Sequence, residues 1–319
     1  MGRFSSWPDN ARGPKVKTVP TALKVISERP RDPKPPWLKV RAPGGEGYTK
    51  IKATLRGLDL HTVCEEARCP NVGECWRAGT ATVMVLGDTC TRGCRFCAVT
   101  TGNPGGYVDP REPEHVAQAV AQLGLRYVVL TMVDRDDLLD GGAAHVKSTV
   151  EALKRAQPDL LVEALVGDFA GRLQDVSLVL SSAADVFAHN IEVVRRLTPL
   201  LRDPRCSYDR SLDVLAHAKR DGGSRYVKSS IMVGAGESDE EVEETLADLR
   251  GAGVDIVTLG QYLRPTARHA PVARYVEPEQ FERYQTQASD MGFAFVASGP
   301  LVRSSYHAAE AFVAANGQD

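Results

Sequence analysis

No stretch of this 319-residue chain approaches the ~18–20 consecutive apolar residues that a helix needs to cross a bilayer. The N-terminus has no apolar segment of the secretory kind. Charge of one sign is lacking as well. The 39 Lys and Arg side chains stand against 41 Asp and Glu, a formal net charge of −2, which gives no electrostatic case for a nucleic-acid partner. Internal repeats and low-complexity segments are absent, and so is an obvious His/Asp set or carboxylate pair for acid–base catalysis. What is present is a globular composition, 43% hydrophobic and 25% charged, long enough for one large domain or two small ones.

Six of the seven cysteines fall into two triplets, Cys64, Cys69 and Cys75 (C-x4-C-x5-C) and Cys90, Cys94 and Cys97 (C-x3-C-x2-C). No signal points to an oxidising compartment, so clustered thiols read as metal ligands rather than disulfides, in a cytoplasmic protein. Each triplet is one ligand short of the four that cubane iron–sulfur clusters and structural zinc take. Zinc on three thiolates would require a fourth protein ligand or water. A 4Fe–4S cubane on three cysteines leaves one iron open. The seventh cysteine, Cys206, lies in Arg202-Asp203-Pro204-Arg205-Cys206-Ser207, outside any cysteine spacing, and is read as a small hydrophobe and a bystander.

Residues 1–50 are rich in proline, glycine and basic side chains and bury too little apolar surface to fold alone; they are expected to run along the surface of a main domain over 51–319. Met1 to Ser6 fits the loose myristoylation pattern, and the basic, acid-poor start is transit-like without an amphipathic helix, which leaves an organellar location open. From about residue 80, strand and helix patterns alternate. Short apolar runs are expected as strands at 82–86, 127–130, 160–165, 185–187, 227–233 and 256–259. Helical spacing covers 114–123, 143–156, 211–219 and 239–249, the last opened by a capping box, Ser238 with Glu241. Six strands with intervening helices predict an α/β fold, a partial parallel (βα)6 TIM-like barrel with N- and C-terminal extensions. The second triplet follows the first strand directly, where such folds place their chemistry.

That C-x3-C-x2-C loop, with Phe96 before its last cysteine, resembles the radical S-adenosylmethionine superfamily. The segments Val63-Cys64-Glu65-Glu66-Ala67, Val133-Asp134-Arg135-Asp136-Asp137-Leu138, Thr258-Leu259-Gly260-Gln261-Tyr262 and Gly299 to His307 narrow it. Together they resemble the lipoyl synthase family over about residues 37–310.

The resemblance implies two 4Fe–4S clusters. Cys90, Cys94 and Cys97 would hold the one that binds and cleaves S-adenosylmethionine. Cys64, Cys69 and Cys75 would hold an auxiliary cluster, closed by Ser304 and consumed as sulfur donor. An oxygen ligand is harder than a thiolate, so that iron should be the easier one to lose. Phe96, Asn190, Glu192 and Arg196 are carried over as contacts of S-adenosylmethionine; the run His189 to Arg196 otherwise reads as a helix N-terminus with a Glu in its first turn. Gly234-Ala235-Gly236-Glu237 would let adenine approach, and Gly141-Gly142 either meets the methionine amine or makes a turn. The implied substrate is an octanoyl-lysine on a lipoyl-carrier protein, either an E2 domain of a 2-oxoacid dehydrogenase or the glycine cleavage H protein. The implied reductant is a flavodoxin or ferredoxin. Rival readings are another radical enzyme with an auxiliary cluster and a non-catalytic zinc or iron–sulfur module. Asp136, Asp137 and the histidines are expected to be structural.

Overall fold

The structure is a computed structural model that describes residues 33–39, 57, 61–62, 71, 80–223 and 225–305. All of them lie in one compact unit, 33–319. The expected boundary at residue 50 falls outside the described residues.

The chain alternates strand and helix. Strand β1 (His61–Thr62) precedes β2 (Thr80–Val85), and the short β3 (Thr89–Cys90) and β4 (Thr100–Thr101) precede α1 (Glu112–Leu123). Then follow β5 (Tyr127–Met132), α2 (Ala143–Ala156), β6 (Leu161–Leu165), α3 (Leu173–Leu180), β7 (Val186–Ala188), α4 (Thr198–Leu201), α5 (Tyr208–Asp221) and β8 (Tyr226–Val233). The last elements are α6 (Asp239–Gly251), β9 (Ile256–Gln261), α7 (Pro278–Asp290) and β10 (Phe295–Gly299). The main sheet has the order β1-β2-β5-β6-β7-β8-β9-β10. Every neighbouring pair is parallel except β1 with β2. Helical crossovers are what parallel neighbours require, and they cover the sheet, so its strands read as apolar runs rather than alternating ones. β2 and β9 are buried at every position.

The expected six strands are all there. A seventh parallel strand, β10, extends the sheet beyond β9, and α3, the one-turn α4 and α7 add three helices that the spacing did not predict. The capping box is realised: Ser238 Oγ accepts from Glu241 N, and the Glu241 carboxylate accepts from Ser238 N at 2.9 Å. Val128 and Leu130 of β5, Val162 of β6 and Val227 of β8 pack with Val120, Val146, Val176 and Val214 of the helices in one continuous core. Tyr127 and Val129, at the alternate positions of β5, belong to a separate apolar cluster with Leu161 and Leu165. There the Tyr127 hydroxyl donates to Glu163 Oε2 at 2.9 Å, and Lys228 Nζ pairs with the same oxygen at 2.8 Å, both charges fully enclosed. This pair ties β5, β6 and β8 together across β7. No helix among the described residues is long and apolar enough to cross a membrane.

Candidate active site

The segment between β2 and α1 leaves the sheet through Leu86 and Gly87, both left-handed (φ 69° and 85°). Leu86 N donates to Glu112 Oε2 at 2.8 Å, so the first residue of α1 holds the exit. β3 then pairs with β4, closing a loop that carries Cys90, Cys94 and Cys97.

Four segments that follow strands β5, β6, β7 and β9 pin this loop. From the loop after β5, Asp134 O accepts from Thr91 N at 2.9 Å. Asp136 takes Arg92 Nε and Nη2 at 3.0 and 2.8 Å. From the segment between β7 and α5, at and just after the end of α4, Asp203 Oδ2 accepts from Gly93 N at 2.8 Å and Leu201 O from Arg95 N at 2.7 Å. From the loop after β9, Ala270 N donates to Arg95 O at 2.8 Å, and His269 Nε2 meets Cys97 O at 2.8 Å. The buried Arg92 also reaches Asp168 at 2.7 Å and Asp134 at 3.5 Å. Burial pushes the Asp168 carboxyl up, but the guanidinium and neighbouring groups outweigh it and hold it below the ordinary value. Asp134 goes the other way. Although 24% of its side chain is accessible, desolvation with Asp168 and Asp136 nearby pushes it up to about 6.

Two of the three sulfurs accept backbone N–H groups: Cys90 from Arg92 and Cys94 from Asp203, each at 3.4 Å. Burial, with Asp134 adding to it, pushes the Cys90 thiol up to about 11. Cys94 is raised as well, first by a hydrogen bond with Cys206 and then by burial. Cys206 is not an isolated small hydrophobe; its sulfur accepts from Arg92 Nη1, in the cysteine loop, at 3.5 Å. No three His, Cys, Asp or Glu side chains among the described residues converge as a ready metal cage. The donor chemistry nonetheless fits a thiolate-held iron–sulfur cluster. Three thiols share one loop, amides point at two of the sulfurs, and a buried guanidinium offsets negative charge.

The other expected site residues lie around this rim. Phe96 is partly buried against the core. Asn190 Nδ2 donates to Glu192 Oε1 at 3.2 Å. Burial, the largest influence, raises the Glu192 carboxyl, and that carboxyl in turn acts on Cys97. Glu192 holds a left-handed backbone (φ 70°) where the chain bridges to Ile231 of β8. Arg196 stands apart from this pair. It grips Glu241 at 2.7 and 2.8 Å and donates to Gly236 O at 2.9 Å. In the Gly234–Glu237 turn the Glu237 carboxylate takes the amides of Gly234, Ala235 and Gly236 at 2.6, 2.9 and 3.1 Å. Gly234 is left-handed (φ 91°), and a Cβ there would meet Arg274 O. Gly141 and Gly142 are also left-handed, at the start of α2, and make a turn; a Cβ on Gly142 would collide with Leu86.

Cys64, Cys69 and Cys75 lie outside the described residues. Ser304 is half-buried in the segment after β10. Asn71, from the stretch between Cys69 and Cys75, is buried, and its Nδ2 donates to Leu301 O at 2.6 Å, three residues before that serine. The motif Thr258 to Tyr262 meets the same segment. A Cβ on Gly260 would overlap Val302 O, and Arg303 Nη1 donates to Gln261 O at 3.4 Å.

Sequence reasoning assigned no role to Arg92, Asp134, Asp168, Asp203, Cys206 or His269. The run Val133 to Leu138 was the one available signal, and its acids turn out to brace the cysteine loop. Asp136 holds Arg92, and Asp137 pairs with Arg135 at 2.8 Å and accepts from Gly106 N at 2.8 Å.

Residues 84–249 match the radical SAM superfamily, and residues 16–69 match the N-terminal domain of lipoyl synthase. The chain is 64% identical over 295 residues to the lipoyl synthase of Sorangium cellulosum, covering 88% of this chain and 79% of that one. It is 54% identical over 307 residues to the mitochondrial lipoyl synthase of Yarrowia lipolytica, covering 95% and 87%. Among solved structures, methylornithine synthase has a TM-score of 0.51 at 15% identity, over 79% of this chain and 82% of that one, a likeness of fold. With identity this high over most of both sequences, the chain belongs to the lipoyl synthase family of radical S-adenosylmethionine enzymes.

Proposed function

We propose that Cys90, Cys94 and Cys97 each bind one iron of a 4Fe–4S cluster, and that S-adenosylmethionine binds beside it among Phe96, Asn190 and Glu192. The observation that carries this reading is the pinning of one three-thiol loop by the segments that follow β5, β6, β7 and β9. Bound there, the cluster and S-adenosylmethionine supply a carbon radical strong enough to take hydrogen from an unactivated methylene. The surrounding residues fix geometry. Arg92, Asp136 and Asp203 hold the loop in register, and the Asn190–Glu192 hydrogen bond fixes a half-buried carboxyl. Arg196 contributes through Gly236, whose carbonyl it holds, and so shapes the Gly234–Glu237 turn.

A second 4Fe–4S cluster on Cys64, Cys69, Cys75 and Ser304 serves as the sulfur donor. The Asn71–Leu301 hydrogen bond supports this, because Asn71 stands between Cys69 and Cys75 in sequence and meets the serine segment. The substrate is an octanoyl-lysine of a lipoyl-carrier protein, an E2 domain of a 2-oxoacid dehydrogenase or the glycine cleavage H protein. The reductant is a flavodoxin or ferredoxin. The reaction runs in the cytoplasm, or in an organelle if the N-terminus is a transit segment, and the working domain spans 51–319 behind an extension over 1–50.

Anaerobic purification should give about eight irons per chain, as two cubanes; zinc alone would end this reading. Ser304→Ala should impair sulfur insertion while cleavage of S-adenosylmethionine persists. Loss of the auxiliary cluster in Cys206→Ala would instead reassign its fourth ligand.

A further inference from the structure

The segment between β7 and α5 brings a seventh thiol to the cysteine loop. Asp203 N donates to Cys94 Sγ at 3.4 Å, and Cys206 N donates to Asp203 O at 2.8 Å, closing a turn over 203–206. Cys206 thus stands in the same turn as the amide that holds the Cys94 sulfur. Its own sulfur accepts from Arg92 Nη1 at 3.5 Å, which turns it toward the cysteine loop. The two loops are locked in register on both sides of Cys94, through Gly93 N to Asp203 Oδ2 at 2.8 Å and Arg95 N to Leu201 O at 2.7 Å. Arg205 adds a clamp, with Nε on Asp203 Oδ1 at 2.8 Å. Cys94 Sγ and Cys206 Sγ thus lie on the two sides of this joint, held by Asp203 N and Arg92 Nη1 respectively. Bridging two cysteines requires neighbouring side chains and little backbone movement, and two loops locked in register around Cys94 keep that movement small.

We propose that Cys94 and Cys206 form a reversible disulfide whenever Cys94 is not bound to iron, with a low-molecular-weight disulfide as oxidant. One cysteine sulfur attacks the small disulfide and releases one small thiol, leaving a mixed disulfide. The other cysteine then displaces the second small thiol. Two cysteine thiols and one small disulfide become one protein disulfide and two small thiols. The bond protects Cys94 from irreversible oxidation to the sulfinic acid and makes iron loading of this loop depend on a thiol reductant. The competitor is Cys97, whose N–H donates to Cys94 O at 3.2 Å within the C-x2-C turn.

Trypsin separates the alternatives, because Arg92, Arg95, Arg205 and Arg210 leave Cys94 alone in 93–95 and Cys206 in 206–210. The full chain, stripped of iron with a chelator and reductant, would be treated with glutathione disulfide. Free thiols would then be alkylated and the non-reduced digest analysed by mass spectrometry. The expected product is 93–95 linked to 206–210, reversed by dithiothreitol, after which iron reloads. Cys206 alkylated throughout, with Cys94 linked to Cys97 or left free, would overturn the proposal. The iron-loaded chain treated in the same way should keep Cys206 alkylatable. If the link formed equally fast with iron bound, the disulfide would stand, and the assignment of Cys94 as an iron ligand would fail instead.

Discussion

Arg92 sets one guanidinium against Asp134, Asp136 and Asp168, at 3.5, 2.8 and 2.7 Å, with its own side chain 2% exposed. Removing one partner from a buried ionic cluster leaves uncompensated charge, so Arg92→Met should cost about 3–5 kcal/mol, read by urea unfolding. Arg92→Lys keeps the charge but loses the two-point grip on Asp136 and should fall between the two. His189 gives a pH test. Its Nδ1 faces Val166 O at 2.8 Å, Nε2 faces Ser211 Oγ at 3.0 Å, and burial first, then Arg202, push it down to about 4. The unfolded chain takes a proton on this ring near pH 6.5, and the folded chain refuses it until about pH 4. Stability from this group is therefore complete above pH 6.5 and falls as pH drops across that window, by about 3 kcal/mol in all. In His189→Gln that portion of the acid slope should vanish, measured as unfolding free energy at pH 7.5 and 5. The two cysteine triplets were legible at this scale because their members are close in sequence. Arg92 was not, since its partners come from loops after β5 and β6. Cys206 meets the cysteine loop only because the segment between β7 and α5 folds over the rim.

At the scale of elements, α6 shows a local signal fulfilled. Ser238 and Glu241 exchange both capping bonds, and Glu241 also receives Arg196. Ser238→Ala should cost about 1 kcal/mol in urea unfolding and loosen the Gly234–Glu237 turn. The segment after β10 is a local signal that cannot be read alone. Gly260 sits mid-strand with no turn to make. Its lack of a side chain is explained only by Val302, which passes close above it. Gly260→Ala should push residues 302–305 away. The expected result is loss of about half the iron, the half assigned to the auxiliary cluster, with S-adenosylmethionine cleavage retained; full iron content would contradict it. Buried parallel strands were legible as apolar runs. β10 was not, because Phe295-Val296-Ala297-Ser298-Gly299 is half-buried and ends in small residues. In α7 only Phe281, Tyr284 and Ala288 carry its apolar buried stripe, too sparse to stand out as a helix.

For the whole molecule, a sheet of seven parallel strands gathers loops from distant parts of the chain at one rim. Parallel order was predictable from the alternation of strand and helix, and so was the place of the second cysteine triplet in a loop at the carboxyl end of the first long strand. Which loops touch was not, because that depends on strand register. The backbone is left-handed at Leu86, Phe169, Ala170 and Glu192, all just beyond strand ends on this rim, where strain is commonly held for function. The most direct test is anaerobic turnover of the iron-loaded chain with S-adenosylmethionine, a strong reductant and an octanoyl-lysyl peptide, followed by peptide mass. The account predicts a product that has gained two sulfurs as a dithiol, and that loses two hydrogens only on later oxidation to the cyclic disulfide, with 5′-deoxyadenosine formed alongside. Release of 5′-deoxyadenosine with no sulfur in the peptide, from protein carrying both clusters, would contradict it.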